Sequence, residues 1–215
     1  MSNKKPVVII GGGGHASVLA DILRYQDRKI LSVICPDDIR VRAIFKNLPH
    51  LIQDHEIKKF HPDEVLLING IGILPNSNLR TKVNSYFTSL GYQFDSVIAD
   101  SAIVSNYATL HSGVQILPRA IIQAGTIIKD NTIINTGAIV EHDCIIGRNN
   151  HIAPASTICG EVTTFDDVFI GTNATIIQGI SIAQGSIIGA GAIVTQDILF
   201  SSICYPSPIT VKTNK

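Results

Sequence analysis

The chain has 215 residues, enough for one large domain or two small ones, and 17 Lys plus Arg against 17 Asp plus Glu give a formal net charge of zero. That balance argues against nucleic acid or an anionic membrane as the partner, and a 45% hydrophobic content argues against disorder. The apolar run at residues 7–10 meets four glycines at once, too short for a signal peptide or a membrane span, so a cytoplasmic location without membrane insertion is expected. Cys35, Cys144, Cys159 and Cys204 are scattered without a C-x-x-C pair and read as reduced, small buried hydrophobes.

In chain order, residues 1–95 alternate strand and helix: strands at 7–10, 30–34, 65–68 and 93–97, helices at 16–25 and 76–90. This predicts a small Rossmann-like α/β domain with a parallel sheet. Between its first strand and first helix lies Gly11-Gly12-Gly13-Gly14-His15-Ala16, a glycine turn in which Ala16 takes the last place of a G-x-G-x-x-G spacing. Such a turn exposes backbone N–H groups at the positive end of a helix, a place for phosphates.

From Ile98 to Val194 every sixth residue is aliphatic, with Thr164 as the single exception among seventeen. Three places after each aliphatic, Gly, Asn or Asp fills twelve of the seventeen slots, the residue types that accept positive φ at a tight corner. The next place is usually small, as at Ala120, Ala138, Cys144 and Ser156. A period of six is neither 3.6 nor 7, so helices are excluded and a parallel β-helix of hexapeptide repeats is predicted over residues 96–200, followed by a tail at 201–215.

With three repeats per turn, residues eighteen apart stack one coil above another. His142, two places after Val140, should then project outwards beside Asp143, with Gly160 one coil above. An outward imidazole with a carboxylate next to it and a bare backbone amide one coil above suit acyl transfer, the imidazole as base and the amide as oxyanion donor. An exposed histidine on a solenoid with Asp in a corner slot also has the reading of no function at all.

The glycine-rich motif at 11–16, followed by Glu141-His142-Asp143-Cys144-Ile145-Ile146-Gly147 in a hexapeptide helix, resembles the bacterial nucleotide-aminosugar N-acetyltransferases of the sialic acid O-acetyltransferase family. The resemblance implies a left-handed helix, acetyl-CoA as co-substrate without a metal, and a homotrimer with its sites between subunits. By the same resemblance His142 is the base that frees the C4 amine of a nucleotide-linked 4-amino-4,6-dideoxyhexose, Asp143 orients it, and Gly160 donates to the acetyl carbonyl. Gly12, Gly13, Gly14 and His15 are implied for the sugar nucleotide, with His15 pointing to the hexose or its phosphates. Asp37 or Asp38 is implied for base or ribose, and Asn135 and Glu141 for the sugar. His151, Thr172 and Ala190 are implied for the coenzyme. Cys35-Pro36 before the aspartates, and Tyr205-Pro206-Ser207-Pro208 in the closing loop, depart from the family pattern. Rival expectations are O-acetylation of sialic acid or another sugar hydroxyl, a zinc carbonic anhydrase using His111, His142 and His151, and a non-catalytic nucleotide-sugar-binding assembly protein.

Overall fold

A computed structural model describes residues 5–207. The first domain comprises β1 (Val7–Ile10), α1 (Gly14–Tyr25), β2 (Ile30–Ile34), β3 (His50–Leu51), β4 (Leu66–Asn69) and α2 (Leu79–Ser89). Its strands form one parallel sheet in the order β3-β2-β1-β4. All four residues of β1 are buried, as an unbroken aliphatic run covered on both faces requires. The strand order reverses at β1, so the crevice beyond its carboxyl end, where the glycine turn lies, is the natural ligand position of such a sheet.

Four elements differ from expectation. α1 begins at Gly14, two residues early, because the glycine turn itself supplies the first helical positions. β3 has two residues and no periodicity to read. α2 begins at Leu79 and not at 76, since Asn76 has φ +62°, a left-handed conformation that a helix cannot continue through. The strand expected at 93–97 is divided: Phe94 bridges to Leu67 at the sheet edge, while Val97–Ile98 already belongs to the second domain.

From Val97 the chain winds into a three-sided prism of parallel two-residue strands. Ile121, Ile139, Thr157, Thr175 and Ile193 pair in sequence, eighteen residues per lap. One face holds the strands at 115–116, 133–134 and 151–152, a second those at 121–122, 139–140 and 157–158, and a third those at 127–128, 145–146 and 163–164. The aliphatic ladder from Ile116 to Val194 is buried and continuous along the axis. At its one polar rung the Thr164 hydroxyl meets Asn150 Nδ2 at 2.5 Å and the Gly147 N–H at 3.2 Å, so the buried oxygen is satisfied. Every corner from Gly113 to Gly191 has positive φ, including those at Arg119, Ala155 and Glu161. At those three the stacking of neighbouring laps overrides a local cost of roughly 1–2 kcal/mol each.

The prism does not end at 200. Ile198 bridges to Ile182, and Ile203–Cys204 pairs with Ile187–Ile188, a spacing of sixteen residues in place of eighteen. A lap shortened by two residues breaks the period of six, so the sequence pattern places residues 203–204 in a tail where the structure has a further rung; Pro208 lies outside the described residues.

The first domain docks on the first face. Ala16, Leu19 and Leu23 of α1 share a core with Val97, Ala99, Leu117 and Ile133 of the prism.

Candidate active site

The corner at 141–143 joins the second and third faces. His142 extends from it with its side chain 57% exposed, and Nδ1 lies 2.9 Å from Asp143 Oδ2. A carboxylate only accepts, so Nδ1 carries the proton and Nε2 presents a lone pair. The Asp143 bond raises the His142 pKa above its ordinary value, exposure to water leaving burial a weaker opposing cause, and Asp143, Glu141 and Glu161 add to it by charge.

Two glycines make room for this pair. A Cβ on Gly160 would stand 2.6 Å from both Cε1 and Nε2 of His142, so the imidazole rests directly on that backbone. A side chain there strikes the base itself. The Gly160 N–H donates to no group among the described residues. One lap in the other direction, Gly125 has φ +78° and its missing Cβ leaves the space that the Asp143 carboxylate fills. Spacing alone could have found Gly125, eighteen residues before Asp143.

Cys144, next in the chain, is buried; its thiol donates to the Cys159 carbonyl at 3.1 Å and burial pushes its pKa up to about 11. That excludes it as a nucleophile at neutral pH.

Of the remaining expected residues, Glu141 alone is beside His142 in the same chain. Asn135, Thr172 and Ala190 lie on the corner between the first and second faces, six residues or about 20 Å of extended chain away across one flat side. His151 is on the first face, against the α/β domain. Its Nδ1 is 3.0 Å from the Ile73 carbonyl and its Nε2 is 3.0 Å from Asn135 Nδ2, so both nitrogens are engaged. Asn135 Oδ1 in turn accepts from the Thr136 N–H at 2.7 Å. Burial lowers the His151 pKa, the Ile73 bond opposing and Arg80 adding to it.

At the glycine turn, Gly13 is the N-cap of α1 and supplies no side-chain cap. A Cβ on Gly13 or Gly14 would meet nothing within 4 Å, so this backbone faces open space, whereas one on Gly12 would collide with Ile39 at 2.6 Å. His15 turns its Nε2 to Gln115 Oε1 at 2.7 Å. Asp38 is engaged with Arg40 at 2.9 Å, which holds its carboxyl down at about 2, while Asp37 makes no ion pair or hydrogen bond among the described residues. Of the two aspartates, Asp37 is therefore the one available to a ligand. Glu141 is half-buried beside the base, and its backbone carbonyl accepts from the Thr126 hydroxyl at 2.7 Å.

Sequence reasoning missed a buried polar seam between the domains. Gln115, Asn69 and Arg80 are 1%, 2% and 3% exposed, and the Arg80 guanidinium donates to the carbonyls of Asn69 and Ile71 at 3.0 and 2.6 Å without meeting a carboxylate. Burial lowers its pKa to about 9. Among the described residues no cluster of three or more His, Cys, Asp or Glu is placed to hold a metal; His111, His142 and His151 lie on different parts of the prism.

Residues 6–87 match the PglD N-terminal domain family, 125–160 the bacterial transferase hexapeptide family and 166–196 the hexapeptide repeat of succinyl-transferase. The chain is similar to a mutant of GDP-perosamine N-acetyl transferase from Caulobacter crescentus solved with CoA and GDP-perosamine, at 31% identity over 97% of each chain and a TM-score of 0.83. In that mutant and a second one a histidine is replaced, by alanine and by asparagine. It is also similar to the acetyltransferase domain of PglB from Neisseria gonorrhoeae, at 25% identity over 93% of this chain and 96% of that one, with a TM-score of 0.81; a further structure of that domain holds acetyl coenzyme A. Curated relatives such as 2,3,4,5-tetrahydropyridine-2,6-dicarboxylate N-acetyltransferase of Staphylococcus aureus match over 73 residues at 36% identity, and the chain spans 30% of their length. The prism, the glycine turn and these likenesses agree that the chain belongs to the hexapeptide-repeat sugar acetyltransferases with a PglD-type N-terminal domain, acetyl-CoA-dependent acyltransferases built on a left-handed parallel β-helix.

Proposed function

We propose that this chain transfers the acetyl group of acetyl-CoA to the C4 amine of a nucleotide-linked 4-amino-4,6-dideoxyhexose, with His142 as general base. The observation that carries this reading is the His142–Asp143 pair resting on Gly160, with Nε2 left without a partner and a peptide N–H unpaired beside it among the described residues. The amine nitrogen attacks the thioester carbonyl carbon, and the carbonyl oxygen, gaining charge, accepts from the Gly160 N–H. The nitrogen's proton passes to His142 Nε2 as the C–S bond breaks and coenzyme A leaves as thiolate, which the imidazolium can then protonate. Asp143 keeps the tautomer and steadies the charged ring.

The glycine turn holds the nucleotide diphosphate through the uncapped end of α1, and Asp37 is the carboxylate for the base or ribose. This turn sits over the first face, His142 on the opposite edge, and Asn135, Thr172 and Ala190 on a third position. One chain therefore cannot surround both substrates, which supports a homotrimer with each site shared between copies. The outward positions of the second face, Ile103, Ile121, Ile139, Thr157, Thr175 and Ile193, carry no charge, as a surface that packs on another copy would require. Four free cysteines suit a cytoplasmic reaction.

The test is incubation with acetyl-CoA and a panel of nucleotide-linked amino sugars, read by mass spectrometry before and after mild alkali. An acetyl group that survives alkali is an amide; one that is lost is an ester and overturns the amine assignment. His142→Ala should lower turnover by about 10²–10⁴ with assembly intact.

A further inference from the structure

One well-built polar assembly plays no part in the chemistry above: the buried side chains that join the first turn of α1 to the prism. Gln115 projects from the first face, 1% exposed. Its Nε2 donates to the Asn69 carbonyl at 2.8 Å, and its Oε1 lies 2.7 Å from His15 Nε2. A carbonyl oxygen can only accept, so the Asn69 backbone decides which way the Gln115 amide faces. Oxygen towards His15 then requires the proton to sit on His15 Nε2. In a neutral ring Nδ1 is left as a bare lone pair, and no group among the described residues donates to it.

The ring is kept neutral by its surroundings. It is half-buried at the N-terminal end of α1, where a helix disfavours positive charge, and the charged or titratable groups that face it are Arg80 and His151. Its pKa falls to about 4, burial being the largest cause, the Gln115 bond opposing, and Arg80 and His151 adding to it.

We infer that Gln115 is a positioning residue that holds His15 as the Nε2–H tautomer, so that Nδ1 accepts a hydrogen bond from a hydroxyl or amine of the bound amino sugar. The substrate half of this inference rests on the function proposed above. It assigns His15 to the sugar and not to the phosphates: a lone pair repels phosphate oxygens, whereas the unpaired N–H groups of the glycine turn attract them. A hexose offers several O–H donors and, before acetylation, an N–H donor, so the ring reads the sugar without competing for the diphosphate.

The experiment is nitrogen NMR of the full-length, substrate-free protein labelled in its histidine rings, with His15→Gln used to assign the signal. His15 should show a protonated Nε2 and a bare Nδ1 at pH 7; the reverse pattern overturns the inference. Gln115→Glu removes the donor to Asn69 and sets a negative charge beside the ring, which should then take a second proton. KM for the nucleotide amino sugar should rise about tenfold near neutral pH, the worth of one hydrogen bond, and recover as pH is raised, while kcat and KM for acetyl-CoA hold. Gln115→Leu, which cannot charge, should show a mixed tautomer and a smaller rise in KM, about twofold at equal populations, without the pH dependence. Thermal unfolding of both variants separates this from general loss of fold, which would move all parameters at every pH. A doubly protonated His15 with unchanged KM sinks the substrate half. The tautomer measurement needs no substrate, so a protein that acetylates no amino sugar would overturn the proposed function, and the substrate half with it, while leaving the tautomer result intact.

Discussion

His142 and His151 are nine residues apart on the same prism, and their environments are opposite. At the open edge His142 has one nitrogen held by Asp143, the other presented to solvent, and a pKa raised by its neighbour. At the domain seam His151 has both nitrogens engaged, Phe169 packed edge-on at 5.0 Å, and a pKa lowered by burial. An imidazole can act as a base only through a lone pair it has left over, however many partners it has. His151 uses Nδ1 to join the two domains and Nε2 to hold Asn135 on its own prism.

The largest effect that could break this comparison is a mixing experiment. His142→Ala and Gly13→Glu should each be inactive alone, the first without a base and the second with a carboxylate in the anion cradle. Assembled together, they should recover about a quarter of wild-type turnover, the share of sites that draw an intact base and an intact glycine turn from different copies in random association. No recovery would mean that one chain builds the whole site.

Gly160→Val should come next, with turnover falling about 10²–10³-fold, because the new side chain displaces the His142 ring and covers the N–H assigned to the oxyanion. Single-turnover kinetics should register the loss in the chemical step.

At the seam, His151→Leu should cost about 1–3 kcal/mol in stability, measured by denaturant unfolding, because the Ile73 carbonyl and the Asn135 amide lose their partner. A drop in turnover of the size expected for His142→Ala, with stability unchanged, would instead make His151 chemical.

The smallest effect is in pH. A base whose pKa is raised in the folded protein loses activity as pH falls through that raised value, so the acid limb of kcat/KM should lie above the ordinary histidine value and move down in Asp143→Asn. Stability should fall in the same direction, although the pKa shifts behind it are opposite in sign. His15 and His151 have lowered pKa values, so as pH falls below about 6.5 the unfolded chain binds protons that the native seam refuses, and unfolding free energy declines towards the His15 value of about 4.

Much of the prism was legible because each lap repeats one physical requirement, an aliphatic rung, a small neighbour and a corner of positive φ, at a fixed interval. His142, Asp143 and Gly160 could be put on one edge by counting in eighteens. The α/β domain was legible for β1, β2 and α1, whose runs are long enough to show a period, and not for the two-residue β3. The shortened last lap escaped because the ladder there continues through Ile198 and Cys204 but changes its step.

Local and periodic patterns were enough to fix the coil, its corners and the pairing of a histidine with a carboxylate, since these depend on residues close in the chain or separated by a constant period. Only the tertiary structure decided that His15 faces Gln115 and that His151 bridges to Ile73, contacts across 100 and 78 residues. The physical reason is that docking one domain on another follows the shape and unpaired polar groups of two finished surfaces, and no periodicity in either partner records where they meet.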